Sequence, residues 1–488
     1  MEIKLNNIGI VKDSTISVKG LTVITGKNNS GKTTVGKAIY ALLDAVSSLD
    51  AKARRDRAQY VLKRIDEVQD CFDVFRYLGS ILDGEEGKSD RHPLYKYPLL
   101  RSLLALNGIY DIPSDESEDF ARKLSIELHL LDVKELAENE LVRVYMRRFS
   151  KSNDGNMDVA SIIGEQRDKA VLILDELFVT LQKDPHLIAY ARESINQTLR
   201  SEFANQIQPV SVEVDSSRIE ISDESKQLFS VPISNNKVIN DGNPVYLNTP
   251  YKKVYFIDNP FLWDDPTAIR RYRRNPIGAD ADSMLNPGNI LSHCNKLRQI
   301  IRRRQRPTIL EQTVLNEALE LIKTKINSVL PGTFEFSSDG DYYVVNGSKL
   351  NLTNLATGSK MFSVIKLLLE LGEIDKTTML ILDEPEAHLH PEWQNKFAEI
   401  IVLLVKELKV NILLTTHSSN FVLALDAYMR KYEIEAVTNF YQTEPLACGM
   451  VEYKCVNDSI NVIYQDFLEY MSQVKILRNN CIRNVGDN

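Results

Sequence analysis

Residues 26–33 read Gly26-Lys27-Asn28-Asn29-Ser30-Gly31-Lys32-Thr33, a match to G-x-x-x-x-G-K-[ST]. They lie between an apolar run, Leu21 to Thr25, and a helical pattern from Val35 to Leu43. Strand, glycine loop and helix in that order constrain the fold more than any other stretch. The glycines let backbone N–H groups converge on phosphate oxygens, and the helix N-terminus adds partial positive charge. Gly26 through Thr34 are therefore the expected phosphate cradle. Lys32 is expected to reach the β- and γ-phosphates, and the Thr33 hydroxyl to sit on Mg²⁺.

A second stretch, Thr378 to Gln394, completes that chemistry. Met379 to Leu382 is a short apolar run, the pattern of a strand buried on both faces. It ends in Asp383 and Glu384, and Pro385 forbids continuation of a central strand. Two adjacent carboxylates there are costly unless a metal or a reaction uses them. The spacing suits phosphoryl transfer, with Asp383 on Mg²⁺ and Glu384 orienting or activating the attacking water. A further buried run, Asn411 to Thr416, ends in His417.

Between these motifs the chain changes character. Residues 46–205 are rich in Leu, Glu, Lys, Arg and Asp with helical apolar spacing (Val61, Ile65, Val68, Phe72), a large and mainly helical insertion. The segments 84–89 and 150–155 look like loops within it. Val171 to Glu176 mimics the apolar-run-then-acids pattern, but its surroundings (Ala170, Leu174, Leu177, Leu181) repeat with helical period and predict helix core. The insertion lacks sustained heptads, which argues against a long coiled-coil arm. From residue 206 onward alternation predicts strands at Val210–Val214 and Arg218–Ile221, then a buried strand Lys253–Ile257 ending in Asp258-Asn259. Asp241-Gly242 and Asn248 to Pro250 punctuate that stretch. Asp339-Gly340 and Asn346-Gly347 predict hairpins, and Leu355 to Lys360 leads into a helix. Two basic segments (Arg270, Arg271, Arg273, Arg274; and Lys296, Arg298, Arg302, Arg303, Arg304, Arg306) read either as phosphate contacts or as solvated helix faces. Aromatic residues among them are sparse, essentially Tyr272, which argues against a platform for stacked bases.

The four signals in this order resemble the ABC-type ATPase heads of SMC, RecF and OLD-nuclease proteins, over roughly residues 1–45 and 235–440. The nearer resemblance is to AAA_15/AAA_21-type ATPases of prokaryotic anti-phage modules such as the Septu and PARIS ATPases. Those share an E-x-H-L-H-P-x-W-Q tail, here Glu386 to Gln394, a T-G-x-K loop, here Thr357 to Lys360, and T-T-H-S, here Thr415 to Ser418. The resemblance implies an α/β fold: an ABC-type P-loop ATPase head built from both ends of the chain, 1–45 and 206–488, around the insertion. It implies ATP and Mg²⁺ as cofactors, Asp383 as the Walker B acid, Glu384 as catalytic base and His417 as the γ-phosphate sensor. It implies that Thr357, Gly358, Ser359 and Lys360 meet the γ-phosphate held by a second copy, so that ATP closes a homodimer or higher homo-oligomer. Ala356 stands where SMC-like heads carry the serine of L-S-x-G, so a side-chain hydroxyl is missing there and slow turnover is expected. No Q-loop glutamine is evident; Asp258-Asn259 is the positional candidate. Glu386, His388 and His390 also form a metal-like spacing, which the resemblance instead places in a loop crossing the dimer interface.

Composition removes several classes. The net charge of −8 gives no global pull towards nucleic acid or anionic lipid. The cysteines (Cys71, Cys294, Cys448, Cys455, Cys481) show no C-x-x-C pair and no zinc spacing, and read as reduced thiols of a cytoplasmic protein, mostly packing residues. No apolar run approaches the ~18 residues of a membrane span, and no secretory leader is visible. The tail after His417 is too poor in acids for a Toprim nuclease. The expected function is an ATPase that senses and scaffolds, controlling a separately encoded effector such as a nuclease. The alternative is a RecF-like ATPase acting directly on DNA. A transporter ATPase suits neither the insertion nor the E-x-H-L-H-P tail.

Overall fold

The computed structural model of the chain describes residues 1–72, 75, 93–104, 109, 112–113, 115–149, 158–183, 187–223, 226–240, 249–259, 292–303, 316–337 and 340–486. The loops expected at 84–89 and 150–155, the turn residues Asp241, Gly242, Asn248 and Asp339, and the basic-segment residues Arg270, Arg271, Tyr272, Arg273, Arg274, Arg304 and Arg306 lie outside these.

The elements run β1 (Glu2–Ile8), β2 (Val11–Ser17), β3 (Leu21–Thr25), α1 (Lys32–Val46), α2 (Leu49–Cys71), α3 (Pro98–Leu104), α4 (Ser117–His129), α5 (Val133–Glu138), α6 (Glu140–Phe149), α7 (Val159–Gln182) and α8 (Leu187–Glu202). There follow β4 (Ser217–Asp223), β5 (Lys226–Ser234), β6 (Lys237–Val238), β7 (Lys253–Ile257), α9 (His293–Arg303), α10 (Asn316–Asn327), β8 (Thr333–Ser337), β9 (Gly340–Val345) and β10 (Ser348–Asn351). The last are α11 (Thr357–Glu370), β11 (Thr378–Asp383), α12 (Pro391–Leu408), β12 (Asn411–Thr416), α13 (Ser419–Lys431), β13 (Thr438–Pro445), β14 (Val451–Cys455) and α14 (Asn461–Gly486). No described helix is long and apolar enough to cross a membrane.

The chain divides into two compact units, one of residues 1–49, 188–273 and 290–488, the other of 50–187 and 274–289. Most of α8, inside the span 46–205 drawn from composition, falls in the first unit.

The first unit is organised by an eleven-stranded sheet of order β6-β5-β4-β1-β2-β14-β13-β3-β12-β11-β7. Its β13, β3, β12, β11 and β7 run parallel. Of these, β3, β12, β11 and β7 are short and mostly apolar because both faces are covered. One face presents Leu21, Val23, Tyr255, Ile257, Leu380, Leu382, Ile412 and Leu414 to a core shared with Phe362, Phe397 and Leu404. On the other face α1 packs against β7, β11 and β12. The opposite half of the sheet is antiparallel, with β1 between β2 and β4 and β5 beyond β4.

The alternating run Val210–Val214 forms no strand, contrary to its pattern. Alternation becomes a strand only where a partner edge and an apolar face await it. Both edges of the nearby β4 are already taken by β1 and β5, and Val210 is 84% exposed. The hairpin prediction at Asn346-Gly347 matches the turn between β9 and β10: Asn346 has φ 50° and Gly347 φ 78°, the left-handed pair of a tight hairpin.

The second unit is helical. Val61, Ile65, Val68 and Phe72 of α2 and the turn after it share a core with Leu100, Leu124, Leu128, Ala170, Leu174 and Leu177. Asp132 and Asp158 cap α5 and α7 by accepting from backbone N–H groups. The acid-ended run Val171–Glu176 lies inside α7, with Leu174 buried and Asp175 and Glu176 exposed.

Candidate functional site

The site forms at the carboxyl ends of β3, β11 and β12. β12 sits between the other two, in a register that sets Asp383 beside Thr415 and Thr416 beside Thr25. Ligands of open parallel sheets bind at this edge.

The loop after β3 is closely packed. A Cβ on Gly26 would lie 2.0 Å from the Thr443 hydroxyl of β13 and 2.7 Å from that of Ser30, so a larger residue would have to displace both side chains. Asn29 and Gly31 take left-handed φ values of 64° and 74°, which turn the loop into α1. The Ser30 hydroxyl donates to Lys27 O at 2.7 Å, and the Tyr453 hydroxyl donates to Ser30 O at 3.2 Å. Lys32 is buried; its ammonium donates to Gly26 O at 3.0 Å and Lys27 O at 2.8 Å and lies 3.4 Å from Glu384 Oε1. The cation thus lies within the loop.

Thr33 Oγ1 donates to Asp383 Oδ2 at 2.6 Å, and Thr415 donates to Asp383 Oδ1. Burial raises the Asp383 carboxyl above its ordinary 3.8; the Thr33 and Thr415 hydrogen bonds pull it down, and the Glu384 charge adds to the rise. A carboxylate held at such cost beside a hydroxyl offers the hard oxygen ligands that suit Mg²⁺. Thr33 and Asp383 therefore fit the ion that the motifs call for.

Glu384 has φ 47°, a left-handed conformation that costs a non-glycine residue about 1–3 kcal/mol. Its N–H donates to Thr415 O at 3.0 Å, which anchors the turn. The carboxylate then stands 3.4 Å from Lys32 Nζ and 3.1 Å from His417 Nδ1. Glu384 is 32% and His417 41% exposed, so both groups face solvent or a ligand. A carboxylate so placed can take a proton from water beside a phosphate held by the loop.

The contacts of two residues already named in the tail, Glu386 and Gln394, appear only in the fold. Glu386 is buried, accepts from Thr416 through Oε1, and has no hydrogen-bond partner for Oε2. Burial raises its carboxyl above 4.5. The Gln394 amide joins two segments: its oxygen accepts from Ser418 Oγ and Asn420 Nδ2, each at 3.1 Å, and its nitrogen donates to Leu389 O at 3.2 Å. The loop after the acids and the segment after His417 are thereby tied within one chain. The signal was present in the Thr415-Thr416 hydroxyls: once β11 and β12 are set side by side, one faces each acid-bearing turn.

The metal-like spacing of Glu386, His388 and His390 does not converge as a cluster. Glu386 points to Thr416, while His390 Nδ1 accepts the Glu392 N–H at 3.4 Å as the cap of α12. Thr357 to Lys360 form the first turn of α11, and a Cβ on Gly358 would lie 3.1 Å from His388 O and 3.2 Å from Leu389. The signature-like loop and the E-x-H-L-H-P tail are therefore packed against each other. Ser359 is buried, and Lys360, 3% exposed, donates to Thr353 O at 3.1 Å. In the second basic segment, Lys296 pairs with Asp44 and Arg298 donates to Asn295 at 2.9 Å.

The sequence profile of the AAA ATPase domain family AAA_15 matches residues 1–260 and 283–422. No curated protein matches the chain. Among solved structures it is similar to the SMC head domain from Thermotoga maritima, with 11% identity and a TM-score of 0.34 over 93% of this chain and 98% of that one. It is also similar to an SMC head bound to the C-winged helix domain of ScpA (10% identity, TM-score 0.34, 93% of this chain and 96% of that one). A third is the Smc head domain with an extended coiled coil, bound to the C-terminal domain of ScpA, from Pyrococcus furiosus (10%, 0.30, 97% and 98%). The family match, not these low scores, carries the assignment.

Proposed function

The chain belongs to the AAA ATPase domain family AAA_15, and on that premise we propose that it hydrolyses ATP slowly and uses the bound nucleotide to join two copies that govern a separate effector. The observation that carries the proposal is the convergence of Lys32, Glu384 and His417 beside the Thr33–Asp383 pair. Gly26 to Thr34 bind the phosphates, with Lys32 on the β- and γ-phosphates. Thr33 and Asp383 would hold Mg²⁺, which would supply charge neutralisation on the transferring group. Glu384 takes the proton of the attacking water, and His417 holds Glu384 and registers the γ-phosphate.

Thr357 and Gly358 form the turn offered to the γ-phosphate of the second copy, with Ser359 buried behind it and Lys360 holding the turn through Thr353. Packing of Gly358 against His388 and Leu389, together with the bridge from Gln394 to Ser418, supports this reading. It links His417, the acid-bearing turn and the proposed dimer face. The effector is best read as a nuclease of a cytoplasmic anti-phage module, because the E-x-H-L-H-P-x-W-Q tail is that of such ATPases and this chain shows no nuclease motif.

The test is direct. The purified chain should release phosphate from Mg-ATP, and Glu384→Gln with ATP should double its mass by light scattering. A variant that stays monomeric with saturating ATP removes the dimer reading. Co-purification with the neighbouring gene product tests the effector, and absence of any complex with or without ATP removes it. ATPase stimulation by DNA would favour the RecF-like alternative.

A further inference from the structure

A second constellation lies outside the nucleotide motifs. Asp258 follows the last residue of β7, and His293 and Cys294 open α9. Their carboxylate, imidazole and thiol donor atoms lie within 4.8 Å of one another, the one such group among the described residues. Asp258 Oδ1 is 3.1 Å from His293 Nε2 and 3.7 Å from Cys294 Sγ. Tetrahedral Zn²⁺ with ~2.0 Å bonds to oxygen and nitrogen and a ~2.3 Å bond to sulfur places such donors roughly 3.3 and 3.5 Å apart. The two distances bracket that requirement.

The ring is already set for a metal. Nδ1 lies 2.7 Å from Glu202 Oε2 at the end of α8, and the His293 N–H donates to the other oxygen at 3.3 Å. Metal-binding histidines almost always carry such a carboxylate on the far nitrogen, which fixes tautomer and orientation. Phe256 and Tyr40 pack against the imidazole, with ring centroids 4.6 and 5.9 Å away. Nε2 is buried, and its 3.1 Å approach to Asp258 is not aligned as a hydrogen bond, so it is left without a hydrogen-bond partner. A buried polar nitrogen aimed between an oxygen and a sulfur calls for an explanation.

We propose that Asp258, His293 and Cys294 bind a Zn²⁺-class transition metal, with Glu202 orienting the histidine and water in the fourth position. Mixed N, O and S donors select zinc over magnesium, so the site is chemically distinct from Thr33 and Asp383. Asp258 comes directly after Ile257, which pairs with Leu382 of β11. The metal clamps the start of α9 to the sheet edge beside the nucleotide acids. The competing occupant is a proton: burial disfavours charge on His293, but the neighbouring Asp258, Cys294 and Glu202 raise its pKa to about 11.

Co²⁺ provides the test, in full-length protein with the exposed Cys448 and Cys455 replaced by serine. Titration in millimolar Mg²⁺ without nucleotide should give a near-ultraviolet thiolate-to-Co(II) band at one equivalent, and one equivalent of Zn²⁺ should abolish it. Cys294→Ser should remove the band, and Glu202→Gln should weaken Zn²⁺ binding about 10–100-fold. No band in the parent protein, or a band that persists in Cys294→Ser, overturns the proposal. If Cys294→Ser fails to fold by circular dichroism, Asp258→Asn replaces it, and unchanged Zn²⁺ affinity in that variant is equally decisive.

Discussion

Replacing Glu384 with glutamine separates chemistry from binding, and the magnitudes differ enough to be read apart. The substitution keeps shape and removes the carboxylate proposed to accept a proton. Loss of a positioned general base lowers turnover about 10²–10⁴-fold, or roughly 3–5 kcal/mol of barrier. The same change removes the partner 3.4 Å from Lys32. Because Glu384 is about a third exposed, that pair is worth only about 0.2–1 kcal/mol, at most a fivefold change in nucleotide affinity. It also removes negative charge from beside the proposed γ-phosphate position, which pulls affinity the other way. Phosphate release under single-turnover conditions should therefore collapse, while the Kd of a fluorescent ATP analogue moves by less than about tenfold. Wild-type turnover in the variant would show that Glu384 is not the base. A collapse of binding equal to that of turnover would show that it serves as a structural counterion of the loop.

Lys32→Ala should behave oppositely, lowering nucleotide affinity by roughly 10²–10⁴ through the lost charge-assisted phosphate bonds, as calorimetric titration would show. Ala356 is the N-cap of α11, with φ −56° and ψ 141° and no side-chain cap. Ala356→Ser should therefore raise stability by about 0.5–2 kcal/mol in denaturant unfolding and, if the loop acts across copies, tighten the ATP-dependent dimer. Glu386 has a raised carboxyl pKa, so the native state holds its proton to higher pH than the unfolded chain. Stability from this group is present below the ordinary value of 4.5 and is lost as pH climbs through the raised value. Urea midpoints of Glu386→Gln minus wild type should grow more positive across that window and then level off; a flat difference would show that Glu386 does not titrate abnormally.

What was readable in the sequence was local. β3, β11 and β12 announce themselves as short apolar runs, because an unbroken apolar stretch is a property of the segment itself. The acid-ended run in α7 was separable from β11 by period alone. What depended on pairing was not readable. Val210–Val214 has a strand pattern but no edge to join. The insertion of β14 and β13 between β2 and β3 is a long-range choice. Thr416 meets Glu386, and His293 meets Glu202, only because the sheet and helices bring distant segments together.

The position of β3 also dictates an order of events during synthesis. Both neighbours of the strand that carries the phosphate loop, β12 and β13, come from the far end of the chain. A ribosome adding about 5–20 residues per second needs roughly 20–80 s after β3 emerges before β12 is available. Throughout that interval an apolar strand has no edge to pair with, whereas β1 and β2 already pair with each other. The nascent chain is thus exposed to aggregation at its most apolar N-terminal segment, and it acquires its nucleotide site only when the C-terminal strands arrive. Chains cut short before residue 411 would carry an intact phosphate-loop sequence and no means of assembling the site around it.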